Sequence, residues 1–310
     1  MSESVPQTSL SSGIEPWPAL PLEDWQDTYT TLHMWTQIIG KIRMALTPLV
    51  NHWWNVTLYV TPRGLTTSAI PLGSRVFDIE FDFVEHQLVI RTGEGAIRKV
   101  QLRPRTVAEF YLEVMEELRS LSIAAKIHAT PDEVSDPIPF EEDYAHASYD
   151  PDFANRFWRI LVSNDAVFKE FRSRFIGKCS PVHFFWGSFD LAVSRFSGRR
   201  APERAGADPI TREGYSHEVI SGGFWPGGGE VKGPAFYSYT APAPAGFEKQ
   251  HVRPAAAFYH PKLSQFILMY EDVRRLEDPR AKILEFLQST YEAGANLAKW
   301  DRVALERARS

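Results

Sequence analysis

The chain has 310 residues, of which 44% are hydrophobic and 13% aromatic, with nine Trp and twenty Phe, a composition that builds a sizeable core and excludes extended disorder. A net charge of −5 and a pI near 6.0, with the basic residues dispersed, leave no basic stripe for nucleic acid. No apolar run approaches the eighteen or so residues that span a bilayer.

Residues 1–14 are polar, lack the apolar block of a signal peptide, and read as a disordered N-terminus. The single Cys179 has no partner for a disulfide, so a cytoplasmic protein is expected. From about Asp24 to Leu46, Trp25, Tyr29, Leu32, Trp35, Ile38, Ile39 and Ile42 recur at three- and four-residue spacing until Pro48, which predicts a helix. Strands are predicted at 54–61, 65–70, 76–84, 87–92 and 97–102, separated by turn signals, and a helix from Thr106 to Ser120 closes this first unit, 15–130. Asp78, Glu80 and Asp82 alternate with Phe77, Ile79, Phe81 and Phe83, the pattern of a solvent-facing ladder opposite Arg91, Arg98 and Lys99.

Residues 131–150 hold three prolines, many acids and no Lys or Arg, and read as a linker, either a hinge or a solvated strap. Asp150-Pro151-Asp152 then signals a helix start, with an interruption expected at Ser163-Asn164-Asp165 and an end near Phe175. Strands are predicted near 182–195, 217–224, 234–240, 255–260 and 264–271, followed by a helix from Pro279 to about Arg307. His52-Trp53-Trp54 and His183-Phe184-Phe185 lie 131 residues apart, each opening a run of alternating apolar residues. The expected class is therefore α+β, internally duplicated, with two helix, antiparallel meander, helix units (15–130 and 151–310) packed about a pseudo-twofold axis.

The stretches Glu15-Pro-Trp-Pro-Ala-Leu-Pro, SPVHFFWGSFDL (Ser180 to Leu191) and SHEVISGGFWPGGG (Ser216 to Gly229) resemble the bacterial domain-of-unknown-function family numbered 5996, nearly end to end from residue 15. The resemblance implies membership of that family and no reaction, cofactor or catalytic residue.

Chemistry has to be read from the residues. In the duplicated arrangement His52 and His183 face one cleft between the units, lined by Trp54, Phe185 and Trp186; the plainer alternative is that each imidazole anchors a strand end. Tyr215 and His217 share a strand face and, with Asp190, form the best polar cluster, His183, His52, His217 and Asp190 being the catalytic candidates. The irregular stretch Ser197 to Gly214 carries Arg199, Arg200, Arg204 and Arg212 and reads as a lid over an anionic ligand, with Arg199, Arg200 and Arg212 as ligand-binding candidates. No HExxH, CxxC or His-x-His pair occurs; only Glu141-Glu142-Asp143 with His146 resembles a loose cation site, and no metal is assigned. No nucleophile elbow or phosphate loop is present, and the cofactor is left unknown. Two functions stay open, a small-molecule enzyme with a His-containing aromatic cleft or a non-catalytic ligand- or peptide-binding module; no nucleic-acid or membrane partner is expected.

Overall fold

The computed structural model describes residues 15–308; the expectation for residues 1–14 lies outside them. Helix α1, Leu22–Leu46, forms where the apolar spacing predicted it, with Glu23 and Asp24 favourably placed at its positive end. Thr47 leaves it in an extended conformation, as a residue before proline must. Trp35, Ile38, Ile39 and Ile42 are fully buried, each contributing about 1.5–3 kcal/mol.

The first sheet comprises β1 (Tyr59–Val60), β2 (Gly64–Thr66), β3 (Ile70–Leu72), β4 (Arg75–Asp82), β5 (Gln87–Thr92) and β6 (Ile97–Gln101). Its order is β1-β2-β4-β5-β6, all neighbours antiparallel, with β3 continuing along the edge of β4 that β2 begins. Helix α2, Val107–Ser120, starts on a capping box in which Thr106 and Glu109 exchange side-chain-to-backbone bonds.

Helix α3, Pro151–Ser173, is capped by the Asp150 carboxylate, which accepts from the Asp152 and Phe153 amides. The expected break at Ser163-Asn164-Asp165 does not occur, because Phe157, Ile160, Leu161, Asn164, Val167 and Phe168 keep one buried face in phase through it.

The second sheet comprises β7 (His183–Phe185), β8 (Asp190–Arg200), β9 (His217–Trp225), β10 (Ala235–Ala241), β11 (Phe258–His260) and β12 (Gln265–Met269), in the antiparallel order β11-β12-β10-β9-β8-β7. Between its strands sits the short helix α4 (Pro209–Gly214), and after it come α5 (Tyr270–Arg274), α6 (Pro279–Leu297) and α7 (Arg302–Leu305). The long closing helix expected to reach Arg307 ends early, at Leu297, and Lys299 just beyond it turns away with a φ of +54°.

Both sheets share one hydrophobic core. Their edges meet where Leu58 and Phe184 exchange backbone hydrogen bonds at 2.9 Å each way. The α+β class is as expected, and each half runs helix, antiparallel sheet, helix. The histidine pair does not mark equivalent positions. His183 opens a strand, but His52 lies in the 3-10 turn Asn51–Val56, where His52 and Trp53 have φ of +59° and +60°. The strand predicted at 182–195 is a hairpin turning at Trp186 to Phe189, so the apolar parity read across it is broken. The strap of residues 131–150 is largely exposed and is anchored to the core at Phe140, Asp143 and Tyr149, which are buried.

Candidate functional site

Along β8, β9 and β10, one set of alternate residues (Leu191, Val193, Ile220, Phe224, Phe236) points into the shared core towards α6, where Leu287 meets Gly222. The opposite set, Asp190, Ala192, Ser194, Ser221, Tyr237 and Tyr239, lines a cavity of about 580 Å³, within the range of small-molecule pockets. Its walls are completed by His52 and Trp54 from the turn before β1, Glu133 from the strap, and Ile210, Thr211, Gly214 and Tyr215 in and beside α4. Phe185, Phe196, Trp225 and Gln265 add further lining.

At the floor, the buried Asp190 carboxylate accepts from the Ser188 hydroxyl at 2.5 Å and from the Tyr237 hydroxyl. Burial pushes the Asp190 carboxyl above its ordinary range, despite those two donors. The Tyr237 ring stacks on Tyr239, centroids 6.2 Å apart, and the Tyr239 and Tyr215 hydroxyls lie 2.9 Å apart, so stacked rings connect the floor to a hydroxyl pair at the α4 wall. Ser194 and Ser221 share a hydrogen bond at 2.9 Å beside it. Gly223 makes the arrangement possible: a Cβ there would collide with the Tyr237 hydroxyl and the Leu191 carbonyl.

Glu133 is held at the mouth with φ of +54°. Its carboxylate comes so close to Gly187 that a Cβ on that residue would be 2.7 Å from Oε1. Partial burial raises its pKa first, and the neighbouring charges of Asp190, Asp132 and Asp208 raise it further. Sequence reasoning missed Glu133, together with Ser188, Ser194, Ser221, Trp225, Tyr237 and Tyr239. The available signal was β10, Ala-Phe-Tyr-Ser-Tyr-Thr-Ala, which carries large side chains on both parities and so must be covered on both faces.

His52 also lines the cavity, but both ring nitrogens are engaged. Nδ1 donates towards the carbonyls of Glu213 and Gly214 at 3.0 and 3.1 Å, and Nε2 accepts from the Lys178 ammonium at 2.6 Å. Burial, then the Lys178 charge, lowers its pKa and keeps the ring neutral.

The other expected residues divide. Trp54, Phe185, Tyr215 and Asp190 come together in the cavity wall. His183 does not line it: the ring is buried at the pocket-side end of β7 against Trp54, Tyr59 and Phe185, with no hydrogen-bond partner on either nitrogen. Burial lowers its pKa to about 3. Trp186 faces away, donating to the Val56 carbonyl at 2.7 Å. His217 stops outside the lining, 5.7 Å from the His52 ring between centroids.

The arginines stand apart from the cavity lining. Ser197 to Arg200 belong to β8, where Arg199 pairs with Glu218 at 2.6 Å and donates to the Ala298 and Lys299 carbonyls behind α6. Arg200 sits across from His217 and Arg212 is exposed, so none of the three lines the cavity. The segment lies over the pocket through Ile210, Thr211 and Tyr215 instead, while Arg204 stacks on the Tyr215 ring at 3.8 Å.

Asp143 accepts from His146 Nδ1 at 2.8 Å and from the Ala145 and His146 amides, a turn held by its own hydrogen bonds. Among the described residues, no group of three or more His, Cys, Asp or Glu is placed to hold a metal ion. No helix among them is long and apolar enough to cross a membrane.

Two antiparallel sheets backed by helices, with an aromatic and acidic cavity on the free face of one, define an α+β protein with a small-molecule-sized pocket. Residues 17–307 match the family of unknown function DUF5996, and the chain belongs to that family. No curated protein and no solved structure matches it.

Proposed function

We propose that the protein binds a small organic molecule in the cavity over the second sheet, with the aromatic walls taking its carbon skeleton and the Asp190, Ser188 and Tyr237 cluster fixing its polar end. The observation that carries this is the cavity itself. Opening about 580 Å³ above a sheet leaves apolar area unburied, and a buried carboxyl at its floor costs further stability. Such costs are characteristic of a site kept for a ligand.

A binding role is favoured over His-based catalysis because His52, the one histidine in the wall, has both nitrogens engaged. An enzymatic reading rests on Asp190, whose carboxyl burial holds above its ordinary range, the direction that favours a proton donor. The anionic ligand expected from the arginine segment gives way to a neutral or cationic one, since no Lys or Arg lines the cavity among the described residues. The repeated helix, sheet, helix order supports an origin by duplication in which only the second sheet kept a site, and the single cysteine supports a cytoplasmic location.

Native mass spectrometry tests the binding role. The wild-type protein should carry a small-molecule mass lost on denaturation or, once stripped, bind members of a fragment library, and Ala192→Phe, which fills the cavity, should abolish both. Equal binding by the filled variant overturns the reading.

A further inference from the structure

The charges around the pocket are unbalanced. Two carboxyl groups, Asp190 and Glu133, line it, and no Lys or Arg does among the described residues. Cations near the lining have other partners: Lys41 pairs with Asp132 at 2.6 Å, Lys178 lies 2.6 Å from His52 Nε2, and the Arg204 guanidinium stacks on the Tyr215 ring at 3.8 Å. The partners of Asp190 are hydroxyls, from Ser188 and Tyr237. A buried carboxylate without a counter-charge is costly, and one that is matched and hydrogen-bonded is not.

The walls add a second preference. Trp54, Phe185, Trp225, Tyr237 and Tyr239 present ring faces and edges to one space, Trp225 meeting Tyr237 edge-on at 5.5 Å. Ring faces attract cations, and clusters of them select ammonium groups. The chain illustrates this at the rim, where the Lys178 ammonium sits 5.5 Å from the Trp54 ring and 5.1 Å from Phe196.

We propose that the ligand is a protonated organic amine, its ammonium taken up by the Asp190 and Glu133 carboxyls and its hydrocarbon part by the surrounding aromatic rings. This rests on the pocket-binding reading above and narrows it to one charge and one chemical class. The ammonium donates to acceptors only: carboxylate oxygens and the Ser188, Ser194 and Ser221 hydroxyls.

Proton linkage follows. Burial raises the pKa of both carboxyls, and Tyr29 on α1, Asp132 on the strap, Asp208 before α4, and Tyr237 and Tyr239 on β10 supply no positive charge to lower it. On the remaining side His52 and His217 stand beside Lys178, and both histidines are held below their ordinary pKa. A carboxyl that is protonated in the free protein must release its proton when an ammonium binds, and acidification adds positive charge on the histidine side. Amine affinity therefore rises with pH, by up to tenfold per pH unit for each coupled proton, until the carboxyls are ionised in the free protein.

Titration calorimetry with matched benzylamine, benzyl alcohol and benzoate, and with the corresponding phenethyl set, tests the proposal. The amine should bind at least tenfold tighter than the alcohol at pH 7, benzoate should not bind, and amine affinity should fall between pH 7 and pH 5 while alcohol affinity holds. Glu133→Gln, at the solvent-facing mouth, and Asp190→Asn should each remove most of the preference for the amine over the alcohol. Alcohol or benzoate binding as tightly as the amine, or a preference unchanged in both variants, overturns the amine assignment. If alcohol binding is then lost in Ala192→Phe, the pocket reading stands without it; if none of the six compounds binds, the amine assignment falls, and the pocket reading falls with it only if the mass-spectrometric test is also negative.

Discussion

The two sheets begin from the same physics and finish differently on their free faces. Each has six antiparallel strands and one face packed into the shared core. On the first, the outer face carries Asp78 and Glu80 paired with Arg91 at 2.6 Å each, and Asp82 paired with Arg63 at 2.7 Å, so its charges are neutralised within the chain. On the second, the corresponding face carries serines, tyrosines and Asp190 beneath a cover of distant segments, and the acid meets only hydroxyls. A sheet face that balances its own charge is finished by folding; one that leaves an acid unmatched in a cavity is suited to something the chain does not contain.

Glycine substitutions should separate the two faces most strongly. Gly64→Ala in β2 would drive its Cβ into the Phe81 carbonyl, and Gly223→Ala in β9 into the Tyr237 hydroxyl and the Leu191 carbonyl. Each should cost about 3 kcal/mol in urea denaturation, the upper part of the overpacking range. Only Gly223→Ala should also weaken pocket ligands, by displacing Tyr237 from Asp190. Equal loss of binding in the Gly64 variant would break the comparison.

Acid comes next. His183 is neutral and buried in the fold, with its pKa lowered to about 3 by burial, then by the nearby Arg43 and Arg172 charges. An unfolded histidine titrates near 6.5, so the unfolded state binds the extra proton first and stability falls as pH drops below about 6.5. Between pH 7 and pH 5 this residue should cost the fold about 2 kcal/mol. His183→Phe should flatten that part of the stability profile, whether or not it changes stability at pH 7; an unchanged slope would show that His183 has a partner in solution.

The smallest effect should differ in sign between the faces. Asp190→Asn keeps the Tyr237 hydrogen bond and removes a buried acid whose folded pKa is raised. Because the unfolded carboxyl ionises first, wild type loses stability as pH rises from about 3.8 towards the folded value, so the variant should be more stable than wild type at pH 7 and gain nothing at pH 3. Asp78→Asn breaks a partly exposed ion pair and should lose about 0.5 kcal/mol instead. A destabilised Asp190→Asn would mean that the carboxylate is already matched.

Much of the local structure could be read along the chain. α1, α2 and α3 begin within a residue or two of their predicted starts, because apolar periodicity, the Thr106 capping box and the Asp150-Pro151 start are local signals. The acid ladder on β4 and its Arg91 partner were legible for the same reason, strand alternation and neighbouring strands, but Glu80 and Asp82 are buried rather than solvent-facing and Arg98 pairs with Glu117 instead. Trp54, Phe185, Asp190 and Tyr215 were found as large or polar groups near strand ends. The sequence by itself thus determined the α+β class, the helices and the approximate places of most strands, all of which depend on interactions within a few residues or on side-chain period. Tertiary structure alone decided that His52 turns through left-handed backbone to reach the Glu213 carbonyl, that Glu133 swings from an acidic strap into the pocket mouth, and that Arg199 caps a helix end rather than holding a ligand. Each of these depends on groups more than fifty residues apart in sequence being brought together, and no local pattern records which distant carbonyl, carboxyl or ring a side chain will meet once the two sheets have closed on their common core.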